Sequence, residues 1–268
     1  MVLPIPRRIS PTTSTILAYH AIGRSPQKSD PHNLFISPEV FARQVDYLSR
    51  TACIVSLEDA VTGVVPQSRP SVAITFDDAH ASILQNAVPV LERYAAPATI
   101  FLPTGAIGGT FRWEKSSTDD YSIMNEAELE EAMHRGITIE SHGHGHIDMS
   151  EATYEVVVAD LTASAEVIAS LTGLRPRYLA YPWGRHTEVA RRAAEDCGYE
   201  AAFSIDILSA DRYALGRVQV TPLDGPKLFA LKASGFYLPL RYSRVTRALY
   251  WIVKPLLGKR QRYELPHG

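Results

Sequence analysis

Ser71-Val72-Ala73-Ile74-Thr75-Phe76-Asp77-Asp78 decides how this chain is read. An apolar run of this length between turn residues has the signature of a buried strand, and here it ends in two adjacent carboxylates. Successive strand side chains point to opposite faces, but at a strand's end the chain turns and both carboxylates can reach one pocket. An Asp-Asp pair is often only a turn or a helix cap. Behind this many apolar residues it would be costly to bury unless a cation or another group compensated it.

A second apolar strand, Ile137-Thr138-Ile139-Glu140, runs into Ser141-His142-Gly143-His144-Gly145-His146. The His142-xxx-His146 spacing presents two imidazoles to one ion if the segment coils into a helical turn. His142 with His144 is the competing pair, and Gly143 and Gly145 make either geometry reachable. Two imidazoles and a carboxylate form the ligand set of an open, catalytic divalent-metal site, and the spare aspartate is placed to act as a general base. The combination points to metal-assisted hydrolysis.

The rest of the chain alternates strand and helix. Strands are expected at Thr15 to Tyr19, Cys53 to Ser56, Ala98 to Leu102, Tyr178 to Tyr181, Ala201 to Ser204 and Leu215 to Thr221. A helix is expected to open at Pro38 with Ser37 as N-cap and an apolar face of Val40, Phe41, Val45 and Leu48; others are expected over 57–62, 82–95, 126–135 and 151–171, with a further one ending at Cys197. Such alternation predicts a parallel sheet, and the count fits a distorted (β/α) barrel of about seven strands in an α/β chain. Each suspicious residue falls just after a strand's C-terminal end, where barrels carry their active sites. The expected division is a barrel over 1–224 and a helical or irregular C-terminal extension over 225–268.

Composition narrows the partners. The chain has 268 residues, 46% hydrophobic and 21% charged, with a net charge of -2. This suits an ordinary globular chain and disfavours nucleic acid. The cluster Lys259-Arg260-Gln261-Arg262 reads as a solvated tail. Two cysteines, Cys53 and Cys197, make neither a disulfide framework nor a metal knuckle. Arg7-Arg8 is not followed by an apolar signal region, and no apolar stretch has membrane-spanning length. A cytoplasmic location is therefore expected, with extracellular action left open.

The sequence resembles the polysaccharide deacetylases (carbohydrate esterase family four, the NodB-like domain) over roughly 14–224. Thr75-Phe76-Asp77-Asp78 looks like the family's first motif, the Ser141–His146 segment like its second, and Tyr181-Pro182-Trp183-Gly184 like a Tyr-Pro-x-Gly form of its third. Leu17-Ala18-Tyr19-His20 resembles the Tyr-His opening of a subgroup acting on poly-N-acetylglucosamine. The resemblance implies that Asp77 is the general base and that Asp78, His142 and His146 hold a divalent metal, usually zinc. It further implies that the Tyr181 amide helps bind the oxyanion and that His20 is the general acid. The implied substrate is an N-acetylated sugar, with an O-acetyl ester, a cyclic amide or a non-catalytic sugar-binding role as rivals.

There are departures from the pattern. Ala79 and His80 replace a Gly and an aromatic; Ala79 is tolerable if φ stays negative, and His80 is either a surrogate ligand or a surface residue. Ala180 stands where many members have an arginine that orients the base, and Arg217 on the last strand is the candidate to supply that charge. The late Leu-x-His motif is not visible, which puts more weight on His20. Among Trp113, Trp183, Tyr121 and Tyr181, Trp183 with Pro182 beside it is the expected sugar-stacking position.

Overall fold

The structure is a computed structural model that describes residues 14–25, 30, 32–66, 68–111 and 121–243. Trp113, Arg7-Arg8 and the 259–262 cluster lie outside the described residues. Seven parallel strands close on themselves: β1 (Ser14–Tyr19), β2 (Ser71–Asp77), β3 (Ala98–Leu102), β4 (Ile137–Ser141), β5 (Tyr178–Ala180), β6 (Ala201–Ile205) and β7 (Leu215–Gln219). The order round the barrel is β1-β7-β6-β5-β4-β3-β2, and β2 returns to pair with β1 from Ser14↔Ser71 to Tyr19↔Phe76. The expected strand at 53–56 is shorter. Cys53 and Ile54 pair with Ser71 and Val72, below the point where β3 begins its pairing at Ile74↔Ala98.

The two faces of the strands sort by the period of two. Ile16, Ala73, Phe101, Tyr178, Ala180, Ala201, Phe203 and Leu215 fill the barrel interior as one cluster. Leu17, Tyr19, Val72, Ile74, Phe76 and Ile100 pack outward against the helices. That phase places the chemistry. Two or four residues beyond an interior side chain on the same strand come Asp77 (after Ala73), His20 (after Ile16) and Arg217 (after Leu215). On β4 the same alternation runs from Glu140 to His142. The apolar lower barrel thus points four polar side chains at one mouth.

The helical layer comprises α1 (Pro38–Thr51), α2 (Leu57–Thr62), α3 (Val88–Arg93), α4 (Glu126–His134), α5 (Tyr154–Thr172), α6 (Glu188–Asp196), α7 (Pro226–Ala233) and α8 (Tyr237–Arg241). The Ser37 side chain caps α1 by accepting from the Val40 amide, and Asn125 and Glu128 form a reciprocal capping box on α4. The single helix expected over 82–95 is instead a π-turn at Ile83–Ala87 followed by α3. Pro89 has no N–H to give, and Val88 donates to Ile83 O, one residue further back than in an α-helix. After β7, α7 packs Phe229 and Ala233 into the outer core, so residues 225–243 lie against the barrel wall.

Candidate active site

Asp77 ends β2 with its side chain inside the barrel, and Arg217 meets it from β7. The guanidinium donates to both carboxylate oxygens, at 2.6 and 2.8 Å, and to Thr75 Oγ1 at 3.1 Å. Arg217 is fully buried and lies over the Phe101 ring at 4.9 Å. Burial alone would push the Asp77 carboxyl up; the Arg217 guanidinium outweighs it and holds the group well below the usual carboxylate range. Arg217 thus stands on the base candidate, bringing a positive charge from a distant strand while Ala180 occupies the third motif.

Asp78 leaves the strand through two successive positive φ angles, +69° at Asp78 and +57° at Ala79. The condition set for Ala79, a negative φ, is not met. A left-handed alanine costs about 1–2 kcal/mol, and its fully buried methyl returns roughly 0.8 kcal/mol of that. The turn swings the Asp78 carboxylate toward the histidines. His142 Nε2 lies 3.6 Å and His146 Nε2 3.4 Å from Asp78 Oδ1. No helical turn joins the two imidazoles; positive φ at Gly143 (+75°) and His146 (+48°) folds the loop instead. Of the two open pairings the structure brings together His142 and His146. His144 faces elsewhere, its Nδ1 within 2.9 Å of Thr104 Oγ1.

The donor chemistry of this trio fits a divalent cation. His142 Nδ1 lies 2.7 Å from the Ala180 carbonyl, which can only accept, so Nδ1 carries the proton and Nε2 turns a lone pair toward Asp78. Burial pushes the His142 imidazole down to about 4, so it is neutral at ordinary pH. Neither Asp78 oxygen accepts a hydrogen bond among the described residues. Donor atoms from the three buried side chains lie within 4.8 Å of one another. Acceptors facing acceptors in a dry pocket are repulsive unless a cation sits among them. Asp77 is paired with Arg217, whereas Asp78 faces the two imidazoles.

The mouth opens into a cavity of about 260 Å³ lined by His20, Asp77, His142 and Trp183, and also by His32, Leu34, Arg185 and Gln219. Trp183 adopts a left-handed φ of +55°, packs its ring 4.5 Å from His146 and keeps 44% of its surface exposed. Pro182 is buried at the start of that turn and does not line the cavity. Tyr181 is not brought to the site. Its amide donates to Phe203 O at 3.0 Å in the strand ladder, and its hydroxyl donates to Tyr213 O at 2.9 Å. An amide already spent on the sheet cannot also face an oxyanion, so the role that the resemblance implied for Tyr181 does not hold in this geometry.

His80 is neither a ligand of this trio nor a plain surface residue. It is half-buried between Phe35 and Tyr121, and its Nδ1 accepts from the Ser82 amide at 3.1 Å, with Ser82 Oγ 2.7 Å away. Ser82 Oγ in turn accepts from the Ile22 amide, tying the turn after the aspartates to the segment that follows His20.

The sequence profile of the polysaccharide deacetylase family matches residues 65–202, half of the chain. The chain belongs to the polysaccharide deacetylase family. As a polysaccharide deacetylase family member it is 29% identical over 216 residues to the protein YxkH of Bacillus subtilis, covering 79% of this chain and 73% of that one. It is 27% identical over 237 residues to the poly-β-1,6-N-acetyl-D-glucosamine N-deacetylase of Staphylococcus epidermidis, covering 76% and 78%. Its fold matches the Streptococcus pyogenes deacetylase PplD (TM-score 0.72, 23% identity, 84% of this chain and 99% of that one). IcaB from Ammonifex degensii superposes similarly (TM-score 0.69, 23% identity, 82% and 96%).

Sequence reasoning missed His32, Arg185 and Gln219 in the cavity wall. None sits in a motif; they arrive through loop and strand-end placement, for which a single sequence carries no signal.

Proposed function

We propose that this family member is a metal-dependent hydrolase that removes N-acetyl groups from an N-acetylated oligo- or polysaccharide. The observation that carries the reading is the Asp78–His142–His146 trio beside an arginine-held aspartate at the open mouth of the barrel. The names of the staphylococcal relatives support N-acetylglucosamine polymers as the substrate class.

Asp78, His142 and His146 would hold the divalent metal, with zinc suited to a two-imidazole, one-carboxylate set. When bound, the metal polarises the acyl oxygen and lowers the pKa of water. Asp77 is the proton acceptor. Arg217 keeps it ionised and fixes both its oxygens, so a carboxylate of constant orientation faces the cavity. His20, just past β1 on the strand neighbouring Asp77's, is the group that protonates the leaving amine. Trp183 offers an exposed ring at the cavity edge for a sugar face, the apolar side of a pyranose packing on the indole.

The test is acetate release from β-1,6-linked N-acetylglucosamine oligomers, measured with and without a chelator and paired with metal analysis. About one metal per chain and chelator-sensitive acetate are expected. Bound metal with no acetate from any N-acetylated sugar would overturn the substrate class. Acetate release indifferent to metal removal would overturn the metal.

A further inference from the structure

Helix α5 grips the histidine loop without giving it a ligand. Asp160 accepts from two successive loop amides, His144 N–H at 2.8 Å through Oδ2 and Gly145 N–H at 2.7 Å through Oδ1. One helical turn on, Ser164 Oγ lies 2.8 Å from Ser141 Oγ, which accepts the Gly143 amide at 3.1 Å. All three amides between His142 and His146 are thereby fastened, two of them by one carboxylate. Hydrogen bonds to an ionised acceptor are roughly twice as strong as neutral ones.

The glycine pattern carries the imprint of this carboxylate. A β-carbon at Gly143 would sit 2.6 Å from Asp160 Oδ2, at a φ of +75°, and one at Gly145 would sit 3.2 Å from Oδ1. The alternating glycines of Ser141–His146 therefore do more than loosen the loop: they let the backbone reach Asp160. A loop held in this way presents both imidazoles before any ion arrives, so the ordering cost of the loop is met by folding and not by metal binding.

We infer that Asp160 is a positioning residue of the metal site, setting the separation of His142 and His146 through two of the peptides between them. This inference rests on the metal reading above. It assigns work to a residue of α5, 16 residues beyond His144 and outside the motifs.

The experiment compares zinc affinity, by competition with a chromophoric chelator, in the wild-type chain, Asp160→Asn and Asp160→Ala. Hydrogen exchange of the His144 and Gly145 amides in the metal-free proteins is measured alongside. Asp160→Ala is expected to weaken zinc binding by about 10- to 100-fold, the usual effect of losing an outer-shell partner. Asp160→Asn, which keeps one acceptor and turns an N–H against the other amide, should weaken it by less. Both should speed exchange at the two amides and alter the visible spectrum of the cobalt-loaded protein. Unchanged zinc affinity and cobalt spectrum in both variants would overturn the inference while leaving the metal reading intact. Failure of both metal-free variants to fold, judged by circular dichroism, would also overturn it, by making Asp160 a folding residue. A wild-type chain that binds no zinc would remove the inference and the metal reading together.

Discussion

Arg217 and Asp77, 140 residues apart, form a bidentate ion pair at 2.6 and 2.8 Å inside the barrel, with the arginine fully buried. The pair links the last strand to the first site motif. A buried ion pair is weak evidence for stability, because desolvation consumes most of the Coulombic gain. Its value here is orientation and a held negative charge on the group proposed to take a proton.

Arg217→Met should therefore harm both folding and chemistry. Removing one partner of a buried pair leaves the other charge uncompensated and costs about 3–5 kcal/mol, measurable by denaturant unfolding. The sign of the pH effect follows from the shift. Asp77 is depressed in the folded state, so the stability it contributes is present above the ordinary carboxylate value and is lost only as pH falls toward the depressed one. Without Arg217 the carboxyl rises, and the acid limb of kcat/KM should move to higher pH. Arg217→Lys should recover charge without the two-pronged geometry and fall between. An acid limb that stays put in Arg217→Met would show that another group keeps Asp77 ionised.

Asp77→Asn and His142→Ala should fail in different ways. The first removes the proposed proton acceptor, which lies outside the trio, so kcat should fall by about 10²- to 10⁴-fold with metal content retained. The second removes a donor whose Nδ1 is already fixed by Ala180 O, so stoichiometric zinc should be lost. Metal analysis of both proteins separates the roles. Full activity in Asp77→Asn would take Asp77 out of the mechanism.

Much of this site was legible because its motifs are local. Asp77-Asp78 and His142–His146 each sit at the end of an apolar run, and the period of two along that run sets which side chains enter the barrel. The arginine was legible only as a missing charge looking for a source, which Arg217 turns out to fill. What escaped depends on pairings between distant segments. The Tyr181 amide is consumed by Phe203 O because β5 lies beside β6 in one particular register, and nothing in Tyr181-Pro182-Trp183-Gly184 shows that neighbour. The positive φ of Ala79 and the half-buried setting of His80 arise in the same way, from what packs against the turn.

Trp183→Ala addresses the cavity edge. The indole packs on His146 yet leaves 44% of its surface to solvent, an unusual exposure for a large aromatic ring at a strained φ. If it stacks on a sugar, KM should rise by roughly tenfold, within the 0.5–1.5 kcal/mol of an aromatic contact plus lost apolar area. Zinc affinity should change little, because no Trp183 atom belongs to the donor set. A fall in kcat alone, with KM unmoved, would place Trp183 in the chemistry and not in sugar binding.

Lys232→Met tests whether residues 225–243 are an extension or part of the barrel. Lys232 Nζ, on α7, donates to Gln219 O and to Asp224 Oδ2, each at 2.7 Å, and both charged residues are buried. Gln219 ends β7 and lines the cavity, so α7 is fastened to the strand that also carries Arg217. Methionine keeps most of the apolar stem but leaves Asp224 buried with, among the described residues, only the Thr221 amide as a donor. The expected loss is about 3–5 kcal/mol, together with reduced activity through a displaced Gln219. Lys227→Met, on the exposed face of the same helix, should stay within about 0.5 kcal/mol of wild type. Equal unfolding midpoints for the two variants would mean that α7 merely leans on the barrel and that the boundary near residue 224 is real.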